Sequence, residues 1–251
     1  MLTPASPEPL RVTVWSEARH ERSERDVAQR YPAGIHGAIA AGIADLLTVD
    51  AEITTVTLDE PEAGLAPARL DATDVLVWWG HIAHDEVPEH VVEAVQMRVL
   101  SGMGLVVLHS GHFSRIFRRL MGTSCALRWR AERDRELLWT VSPSHPIAAG
   151  VPSPMILDEH EMYGEHFDIP PPDELIFISS FSGGEVFRSG CTFTRGRGRI
   201  FYFSPGDQAY PVYHHPHVRR VIANAVGWAA PCEPSSEPRL RQSPLNWFAP
   251  P

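Results

Sequence analysis

The sequence predicts a doubly wound α/β fold, in which helices cover both faces of a mostly parallel sheet. Three observations predict it. Strand-like apolar runs alternate with helical patterns, several of these runs are apolar on both faces, and no linker rich in Pro, Gly or Ser divides the 251 residues. Alternation of this kind is typical of parallel sheets covered on both sides. A chain of this length can bury about 70 to 75% of its unfolded surface without disulfide or metal staples.

The first half of the chain alternates predicted strands with predicted helices. Ile35, Ile39, Ile43 and Leu47 recur at steps of four, which predicts a helix with one buried face. Continuous apolar runs such as GLVVL predict strands that are buried on both faces. The predicted strands span residues 10–15, 51–58, 74–79 and 104–108. The predicted helices span residues 32–47, 89–100 and 110–120.

The second half is less regular and predicts an antiparallel extension at one edge of the sheet. The RGRG sequence at residues 195–198 suits a tight hairpin, because glycine tolerates positive φ. Strands are predicted at residues 175–180, 184–188, 191–194 and 199–203, before a closing helix over residues 218–228. We predict one domain over residues 10–231, an N-terminal extension at 1–9 and a proline-rich tail at 232–251.

Charge and composition argue against several classes of partner. The chain has 22 Lys and Arg against 31 Asp and Glu, a net charge of −9, which disfavours binding to nucleic acid or an anionic membrane. No apolar run approaches the roughly 18 residues of a membrane span, and no signal-peptide pattern opens the chain, so we expect a cytoplasmic protein. Cys125, Cys191 and Cys232 are widely spaced, which predicts neither disulfides nor a thiolate zinc site.

Histidines cluster where predicted strands end. His20 follows the first strand, His81 and His84 follow the third, and His109 and His112 follow the fourth. In an open parallel sheet, ligands bind outside the carboxyl ends of the strands. A single histidine in such a loop more often caps a turn or faces solvent, but three coinciding loops favour a functional site. Asp207 follows the predicted strand at residues 199–203 in the same way.

Acidic groups and imidazoles are dense in residues 158–166 (DEHEMYGEH). As a strand, this segment would place Glu159, Glu161 and Tyr163 on one face; as a helix, it would align Glu161 with Glu165. A solvated acidic loop is a third interpretation. Imidazole and carboxylate ligands suit Zn²⁺, Mn²⁺ or Fe²⁺, and the same groups serve as general bases. The spacing matches no H-E-x-x-H motif, so the identity of the metal stays open.

The motifs of nucleophilic and nucleotide-dependent enzymes are missing from the sequence. Ser110 lies at a predicted strand-to-helix turn, but G-x-S-x-G would need glycine where the chain has Leu108 and His112. None of the three cysteines lies at a comparable turn. Without G-x-G-x-x-G or a Walker lysine, we predict no nucleotide cofactor.

Several segments together resemble the ThuA family of trehalose utilization proteins. The resemblance covers roughly residues 10–231 and implies a flavodoxin-like sheet, similar to class I glutamine amidotransferases but without their catalytic cysteine. It therefore implies that the protein is not an amidotransferase. The segments that carry it are residues 14–20 (VWSEARH), 74–86 (DVLVWWGHIAHDE), 108–114 (LHSGHFS), 160–170 (HEMYGEHFDIP), 183–190 (GGEVFRSG) and 201–206 (FYFSPG).

Two positions depart from the family pattern. Asp207 stands where members tend to have histidine, and Ser204 stands where they tend to have arginine. A carboxylate can replace an imidazole as a ligand or base, but its pKa and its metal preference differ. We therefore expect Asp207 to keep a catalytic role, with altered chemistry.

The resemblance also implies a place in sugar catabolism. A sugar oxidoreductase would first oxidise trehalose or a related disaccharide at C3, and the ThuA-like partner would process the 3-keto-sugar. A ketone at C3 acidifies the C2 proton, so one base and one electrophile suffice for isomerisation or for glycosidic cleavage. The paired carboxylates of an ordinary glycosidase are not needed.

These considerations lead to a hypothesis for the role of each site residue, with a divalent Zn, Mn or Fe ion as cofactor. We predict that His20, His109 and Glu161 bind the metal. The predicted catalytic residues are His112, Glu165 and Asp207, with His112 or Glu165 as acid and base. The predicted substrate-binding residues are His81, Tyr163, Glu17 and Ser110.

Two other functions stay open from the sequence. One is a non-catalytic sugar-binding or regulatory protein that kept the pocket of an amidotransferase-like scaffold. The other is a metal-assisted hydrolase that acts on unoxidised substrates. The sequence also leaves open whether the chain forms a homo-oligomer.

Overall fold

The computed structural model describes residues 8–231. The predicted tail at 232–251, with Cys232, and residues 1–7 of the predicted extension lie outside this range. Within it, the α-helices are α1 (His20–Ser23), α2 (Arg25–Arg30), α3 (Gly34–Leu46), α4 (Pro67–Asp71), α5 (Glu89–Ser101), α6 (Arg115–Met121) and α7 (Pro216–Ala229). The strands are β1 (Leu10–Ser16), β2 (Ala51–Thr57), β3 (Val75–Trp79), β4 (Gly104–Leu108), β5 (Arg128–Thr140), β6 (Met155–Gly164), β7 (Glu174–Phe181), β8 (Val186–Arg195) and β9 (Gly198–Phe203).

These strands form a single mixed sheet in the order β2-β1-β3-β4-β9-β8-β7-β5-β6. The pairs from β2 to β9 are parallel, and the pairs from β9 to β6 are antiparallel. The predicted fold class, a parallel sheet with an antiparallel extension in the C-terminal half, is therefore confirmed. The tight hairpin predicted at residues 195–198 joins β8 to β9.

Helices cover both faces of the parallel half and enclose two hydrophobic cores. On one face, Ile39 of α3 and Val221 of α7 pack with Val77 of β3. On the other face, Val95 of α5 packs with Trp78 of β3. Alternate residues of β3 thus enter opposite cores, which is why its sequence is apolar throughout.

The register of the parallel strands brings their carboxyl ends to one level. Ser16 of β1 pairs with Trp79 of β3, Trp79 pairs with Leu108 of β4, and Leu108 pairs with Phe203 of β9. The loops that follow these four strands consequently begin side by side. This is the edge at which ligands bind in open α/β sheets.

The second half differs in detail from the prediction. The strand β5 was not predicted, because eight of its thirteen residues, RWRAERDRELLWT, are polar or charged and seven are exposed. For residues 158–166 the sequence left a strand, a helix and a loop open. The structure shows a strand, because residues 158–164 belong to β6. The predicted strands at 184–188 and 191–194 are one continuous strand, β8, with irregular register against β7.

The predicted helix at residues 110–120 begins later than expected. A 3₁₀ turn occupies His109–Phe113, and the α-helix begins at Arg115. Ser114 caps this helix, because its hydroxyl oxygen accepts a hydrogen bond from the Phe117 amide. Cys125 and Cys191 are buried, free cysteines. The helices of this part of the chain are too short or too polar to cross a bilayer.

The packing predicts that Phe201→Ala will strongly destabilise the protein. Phe201 is fully buried in β9, at the junction of the parallel and antiparallel halves. Removal of its ring should lower the free energy of unfolding by about 3 to 5 kcal/mol in urea denaturation. Met97→Ala on the exposed side of α5 is the control, with a change of about 0.5 kcal/mol or less. Equal effects of the two substitutions would contradict this account of the core.

Candidate active site

Four side chains with metal-ligating atoms converge at the carboxyl edge of the sheet. His81 follows β3, His109 follows β4, Asp207 follows β9, and Glu161 comes from β6 of the antiparallel extension. One potential ligand atom from each lies within 4.8 Å of the others. His109, Glu161 and Asp207 are buried, and His81 is partly exposed. We call these four residues the His/carboxylate group.

His109 is the centre of this group. Its φ of +48° lies in the left-handed region, so the chain turns sharply as it leaves β4. The Nδ1–H group donates a 2.8 Å hydrogen bond to the carbonyl oxygen of Ser204. Nε2 therefore faces the carboxylates, at 3.1 Å from Glu161 and 3.6 Å from Asp207. The hydrogen bond from His109 goes to the backbone carbonyl group of Ser204. It therefore does not depend on the side chain at position 204, where serine stands in place of the arginine that family members tend to have.

The charges of the group are coupled. Burial lowers the pKa of His109, but contacts with Asp207 and Glu161 outweigh burial and raise it to about 10. Burial raises the pKa of Asp207, but the contact with His109 outweighs burial and lowers it to about 2. Both shifts describe an imidazolium that neutralises buried carboxylates.

The same group fits a divalent cation. Two imidazoles and two carboxylates form a donor set that Zn²⁺, Mn²⁺ or Fe²⁺ accepts, and a cation would take the place of the His109 proton. The bond from Nδ1 of His109 to a carbonyl is the kind of outer contact that fixes the tautomer of a metal-ligating histidine. The group can therefore hold a metal.

His20 lies behind His81 rather than within the group. Nε2 of His20 is 2.7 Å from Nδ1 of His81, and Nδ1 of His20 contacts the carboxylate of Glu24. Because the carboxylate of Glu24 accepts the proton on Nδ1 of His20, Nε2 of His20 accepts a hydrogen bond from Nδ1–H of His81. The Nε2 lone pair of His81 is then available for a ligand. Burial, with His109 nearby, lowers the pKa of His81 to about 4, so this imidazole is neutral at pH 7. The predicted metal set is revised accordingly: His81 and Asp207 join His109 and Glu161, and His20 orients His81.

Glu17 holds the loop that carries His81. Its carboxylate accepts hydrogen bonds of 2.8 to 3.0 Å from the backbone amides of His81, Ile82 and Ala83. The side chain is fully buried. Glu17 was predicted to bind substrate, but its carboxylate is used by the loop and does not line the cavity described next.

A cavity of about 610 Å³ opens next to the His/carboxylate group. Ser110 and Tyr163, both predicted to bind substrate, line it, and their hydroxyl oxygens are 2.9 Å apart. The Tyr163 ring stacks on His109, and burial raises the pKa of its hydroxyl well above 10. The cavity is lined by His81, His84, Ser110, His112, Phe113, Ala126, Leu127, Trp129, Ala131, Glu161, Tyr163, Asp207, Gln208, Ala209 and Tyr210.

His112 is the predicted acid/base residue that the structure places in this cavity. Its Nδ1–H group donates a 2.7 Å hydrogen bond to the Cys125 carbonyl oxygen, which leaves Nε2 as an acceptor. Burial lowers the pKa of His112 to about 3. The imidazole is therefore neutral at pH 7, and its Nε2 lone pair is available to accept a proton.

Glu165, the other predicted acid/base residue, lies outside the cavity. Arg188 donates hydrogen bonds of 2.8 and 3.0 Å to its carboxylate, and the Phe167 amide donates another of 2.7 Å. Burial raises the pKa of Glu165, but these partners outweigh burial and lower it below its usual value. This carboxylate follows the end of β6 and is paired with the guanidinium of Arg188.

A buried pair that the sequence did not reveal supports the Asp207 loop. Nδ1 of His160 is 2.7 Å from a carboxylate oxygen of Glu136, and Nε2 accepts a 3.1 Å hydrogen bond from the Gly206 amide. The Trp79 indole N–H donates to the Gly206 carbonyl oxygen at 3.0 Å. No pattern marks Glu136, which is one carboxylate among many in the charged sequence of β5. His160 was visible only as part of the dense segment at 158–166.

The fold is an α/β fold with a mixed sheet, in which histidine occupies the sharp turn after β4. In agreement, a structure described as a GMP synthase protein of Thermoplasma acidophilum superposes with a TM-score of 0.50 at 15% identity. The match covers 88% of this chain and 94% of that one. At such identity, the likeness concerns the fold alone.

The chain belongs to the ThuA family, described as trehalose utilisation, whose model matches residues 11–229. Structures described as ThuA-like proteins of Parabacteroides merdae and Bacteroides uniformis superpose with TM-scores of 0.60 and 0.62, at 13% and 14% identity. The matches cover 88% and 90% of this chain, and 90% and 95% of the other two. No curated protein sequence matches the chain. The family resemblance seen in the sequence is thus confirmed.

The geometry predicts that Glu17→Ala will release the His81 loop. Three backbone N–H groups would lose a charged acceptor, so the free energy of unfolding should fall by at least about 2 kcal/mol. Hydrogen exchange at the amides of residues 81–83 should accelerate more than exchange in β3. Glu52→Ala, at an exposed position of β2, is the control and should change neither property. Unchanged exchange at residues 81–83 would refute the role of Glu17 as loop anchor.

Proposed function

We propose that the protein processes 3-keto-trehalose, or a related 3-keto-glycoside, by removing the proton at C2 next to the ketone. Membership of the ThuA family supports a role in trehalose utilisation, and the reaction itself is our proposal. One observation carries it: His81, Glu161 and Asp207 of the His/carboxylate group line the same cavity as the neutral imidazole of His112. An electrophilic centre and a base side by side are what proton abstraction next to a carbonyl requires.

The chemistry proceeds without an enzyme nucleophile. The base takes the C2 proton, the C2–H electron pair forms a C2–C3 double bond, and the C3 oxygen takes the negative charge. Protonation of C3 and of the C3 oxygen, with loss of the proton from the C2 hydroxyl, then gives a 2-keto isomer. Alternatively, the C3 ketone re-forms, the C2–C3 electron pair becomes a C1–C2 double bond, and the C1–O bond breaks. The leaving alcohol takes the C1–O electron pair and a proton, and water can then add across the C1–C2 double bond. Both outcomes balance without an oxidant or reductant, and the absence of a cysteine or serine nucleophile motif from the sequence is compatible with both.

The residues of the cavity divide these tasks. His112 removes the C2 proton with Nε2, because its Nδ1 is engaged by the Cys125 carbonyl oxygen. Tyr163 and Ser110 donate hydrogen bonds to sugar oxygens, since the raised pKa of Tyr163 keeps its hydroxyl protonated. His81, predicted to position a sugar hydroxyl, serves instead in the His/carboxylate group. Asp207, predicted to be catalytic, serves there as well.

The His/carboxylate group would hold the divalent Zn, Mn or Fe ion that the sequence suggested. Bound there, the ion would polarise the ketone oxygen and lower the free energy of the enediolate. His20 would tune the affinity through its contact with His81. Ser204 fixes the His109 ring through its carbonyl oxygen, whichever cation, proton or metal, occupies Nε2.

The substrate implies a partner reaction. A C3 ketone arises by oxidation of a secondary alcohol, so a sugar oxidoreductase must supply it. We propose functional coupling to such an enzyme in the cytoplasm, with no role for nucleic acid or a membrane. The net charge of −9 supports the latter part of this proposal.

Substitution of the base tests the proposed reaction. His112→Gln should lower kcat on 3-keto-trehalose by about 10²- to 10⁴-fold, because a carboxamide cannot accept the C2 proton. His145→Gln is the control, since His145 is buried but packs against Trp228, away from the cavity. Consumption of the keto-sugar is followed by NMR. Activity of His112→Gln close to wild type would reject His112 as the base, and saturable binding without turnover by the wild type would favour the sugar-binding alternative.

Isothermal titration tests the metal group directly. Glu161→Gln and Asp207→Asn should each weaken binding of Zn²⁺ or Mn²⁺ by at least about tenfold, and His20→Ala should do so through His81. Asp158→Asn, on an exposed side chain of β6, is the matched control with unchanged affinity. Equal affinity in the control and the Glu161 and Asp207 variants would show that the His/carboxylate group is not the metal site.

A further inference from the structure

Residues 165–168, the segment that directly follows β6, reach the candidate base His112 in two ways. Asp168 belongs to the run HEMYGEHFDIP (residues 160–170), one of those that carry the family resemblance. We propose that Asp168 is a positioning residue that fixes the orientation and the tautomer of the His112 imidazole through the backbone of Cys125. The effect on the imidazole is independent of the reaction, whereas its consequence for the rate rests on the proposed function.

The support of His112 begins at the carbonyl group of Cys125. That oxygen accepts the hydrogen bond from Nδ1–H of His112 at 2.7 Å. Cys125 has a φ of +53°, in the left-handed region that residues with a Cβ rarely adopt. Such a conformation persists only where the surrounding structure over-determines it. The direction of the Cys125 carbonyl group therefore depends on the contacts that hold the loop of residues 123–126, which lies between α6 and β5.

Asp168 holds this loop with both its backbone and its side chain. The Asp168 carbonyl oxygen accepts hydrogen bonds from the Cys125 amide at 3.1 Å and from the Thr123 hydroxyl at 2.6 Å. The Asp168 amide donates to the Ala126 carbonyl oxygen at 2.9 Å. The carboxylate accepts hydrogen bonds from Ser124, at 3.1 Å from its amide and 2.6 Å from its hydroxyl. Every residue of the loop is thus bonded to Asp168.

The carboxylate of Asp168 is charged in this arrangement. The hydrogen bonds from the hydroxyl and the amide of Ser124 lower the pKa of Asp168 below its usual value. Hydrogen bonds to a charged acceptor are stronger than neutral ones, so the side chain adds to the hold that the backbone has on the loop. An amide oxygen at the same position would accept the same bonds more weakly.

The preceding residue, Phe167, contacts the same imidazole directly. Its ring meets that of His112 edge to face, with centroids 5.7 Å apart. The Glu165 carboxylate accepts a 2.7 Å hydrogen bond from the Phe167 amide, and Arg188 donates one of 2.6 Å to the Phe167 carbonyl oxygen. Glu165, predicted as an acid or base, therefore lies in the segment that supports the base.

The position of the Nδ1 proton matters because a neutral imidazole can carry its proton on either nitrogen. Only the tautomer with the proton on Nδ1 leaves a lone pair on Nε2 for the proton at C2. If the Cys125 carbonyl group moved away, both tautomers would be populated and the ring would lose its fixed orientation. None of the hydrogen bonds between Asp168 and the loop involves the His/carboxylate group, so we expect the metal affinity to stay unchanged.

NMR of the imidazole nitrogens, without substrate, tests the positioning directly. The protein is labelled with ¹⁵N-histidine, and the His112 signals are those that disappear in His112→Gln. In the wild type, Nδ1 should have the shift of a protonated ring nitrogen and Nε2 that of an unprotonated one. Asp168→Ala should move both shifts toward the average of the two tautomers, and Asp168→Asn should restore most of the wild-type pattern. An unchanged pattern in Asp168→Ala would overturn the proposal, whether or not the protein turns over keto-sugars.

Two further variants separate positioning from a folding defect. Ser124→Ala removes the hydroxyl donor from the other side of the contact, at an exposed position where we expect normal folding. It should move the His112 signals in the same direction as Asp168→Ala. Asp173→Ala is the matched control, an exposed aspartate further along the same segment, and should leave the signals in place. No movement in Ser124→Ala, or an equal movement in Asp173→Ala, would also overturn the proposal.

Kinetics connect the positioning to the proposed reaction. Asp168→Ala should lower kcat on 3-keto-trehalose by about tenfold with little change in KM, and Asp168→Asn should recover most of the loss. Isothermal titration should show unchanged Zn²⁺ affinity in both variants. A fall in Zn²⁺ affinity parallel to kcat would indicate a general loosening of the site and would overturn the positioning role, as would full kcat despite a changed tautomer. If the wild type binds the sugar without turnover, the proposed function fails, and the NMR result alone decides whether Asp168 positions His112.

Discussion

Two buried carboxylates, Glu161 and Asp207, share the imidazole of His109 at the carboxyl edge of the sheet. Buried negative charge is costly unless a cation and hydrogen bonds compensate it, so the surrounding chain must hold all three groups in place. The backbone of Ser204 fixes the His109 ring, and His160 fixes the amide of the residue before Asp207. The antiparallel extension contributes to this arrangement, because β6 supplies Glu161 and His160, and Glu136 of β5 contacts His160.

The parallel half of the fold could be predicted because its strands are buried on both faces. Sequences such as VLVWW and GLVVL have few alternatives, and each ends in a polar loop. The antiparallel extension was only partly predictable. In β5 most side chains face solvent, and a sequence such as RWRAERDRE is equally compatible with a charged loop. What makes it a strand is its pairing with β6 and β7, which no local pattern records.

In the candidate site, too, the position of single residues depends on tertiary contacts that the local sequence does not show. The meeting of His109 and Glu161 could be expected, since the topology brings the strand ends together. The sequence could not tell which of two histidines from neighbouring loops lies nearer the centre, and His81 takes the place expected for His20. Glu165 follows Glu161 by four residues, but β6 is a strand that ends before it, and only Glu161 lines the cavity. Glu136 depends on an unpredicted strand and was therefore missed.

The central claim is that this site removes a proton next to a sugar ketone, and isotope exchange tests it most directly. The purified protein, with its metal content measured and with or without chelator, is incubated with 3-keto-trehalose in D₂O. NMR then reports deuterium at C2 of the remaining substrate and of the cleaved and hydrated keto-sugar, and at C3 of a 2-keto isomer. The account predicts solvent deuterium at C2 of the wild-type samples, with exchange strongly slowed in His112→Gln and unaffected in His145→Gln. Conversion of the keto-sugar with the C2 proton fully retained, or no exchange at all despite binding, would contradict it.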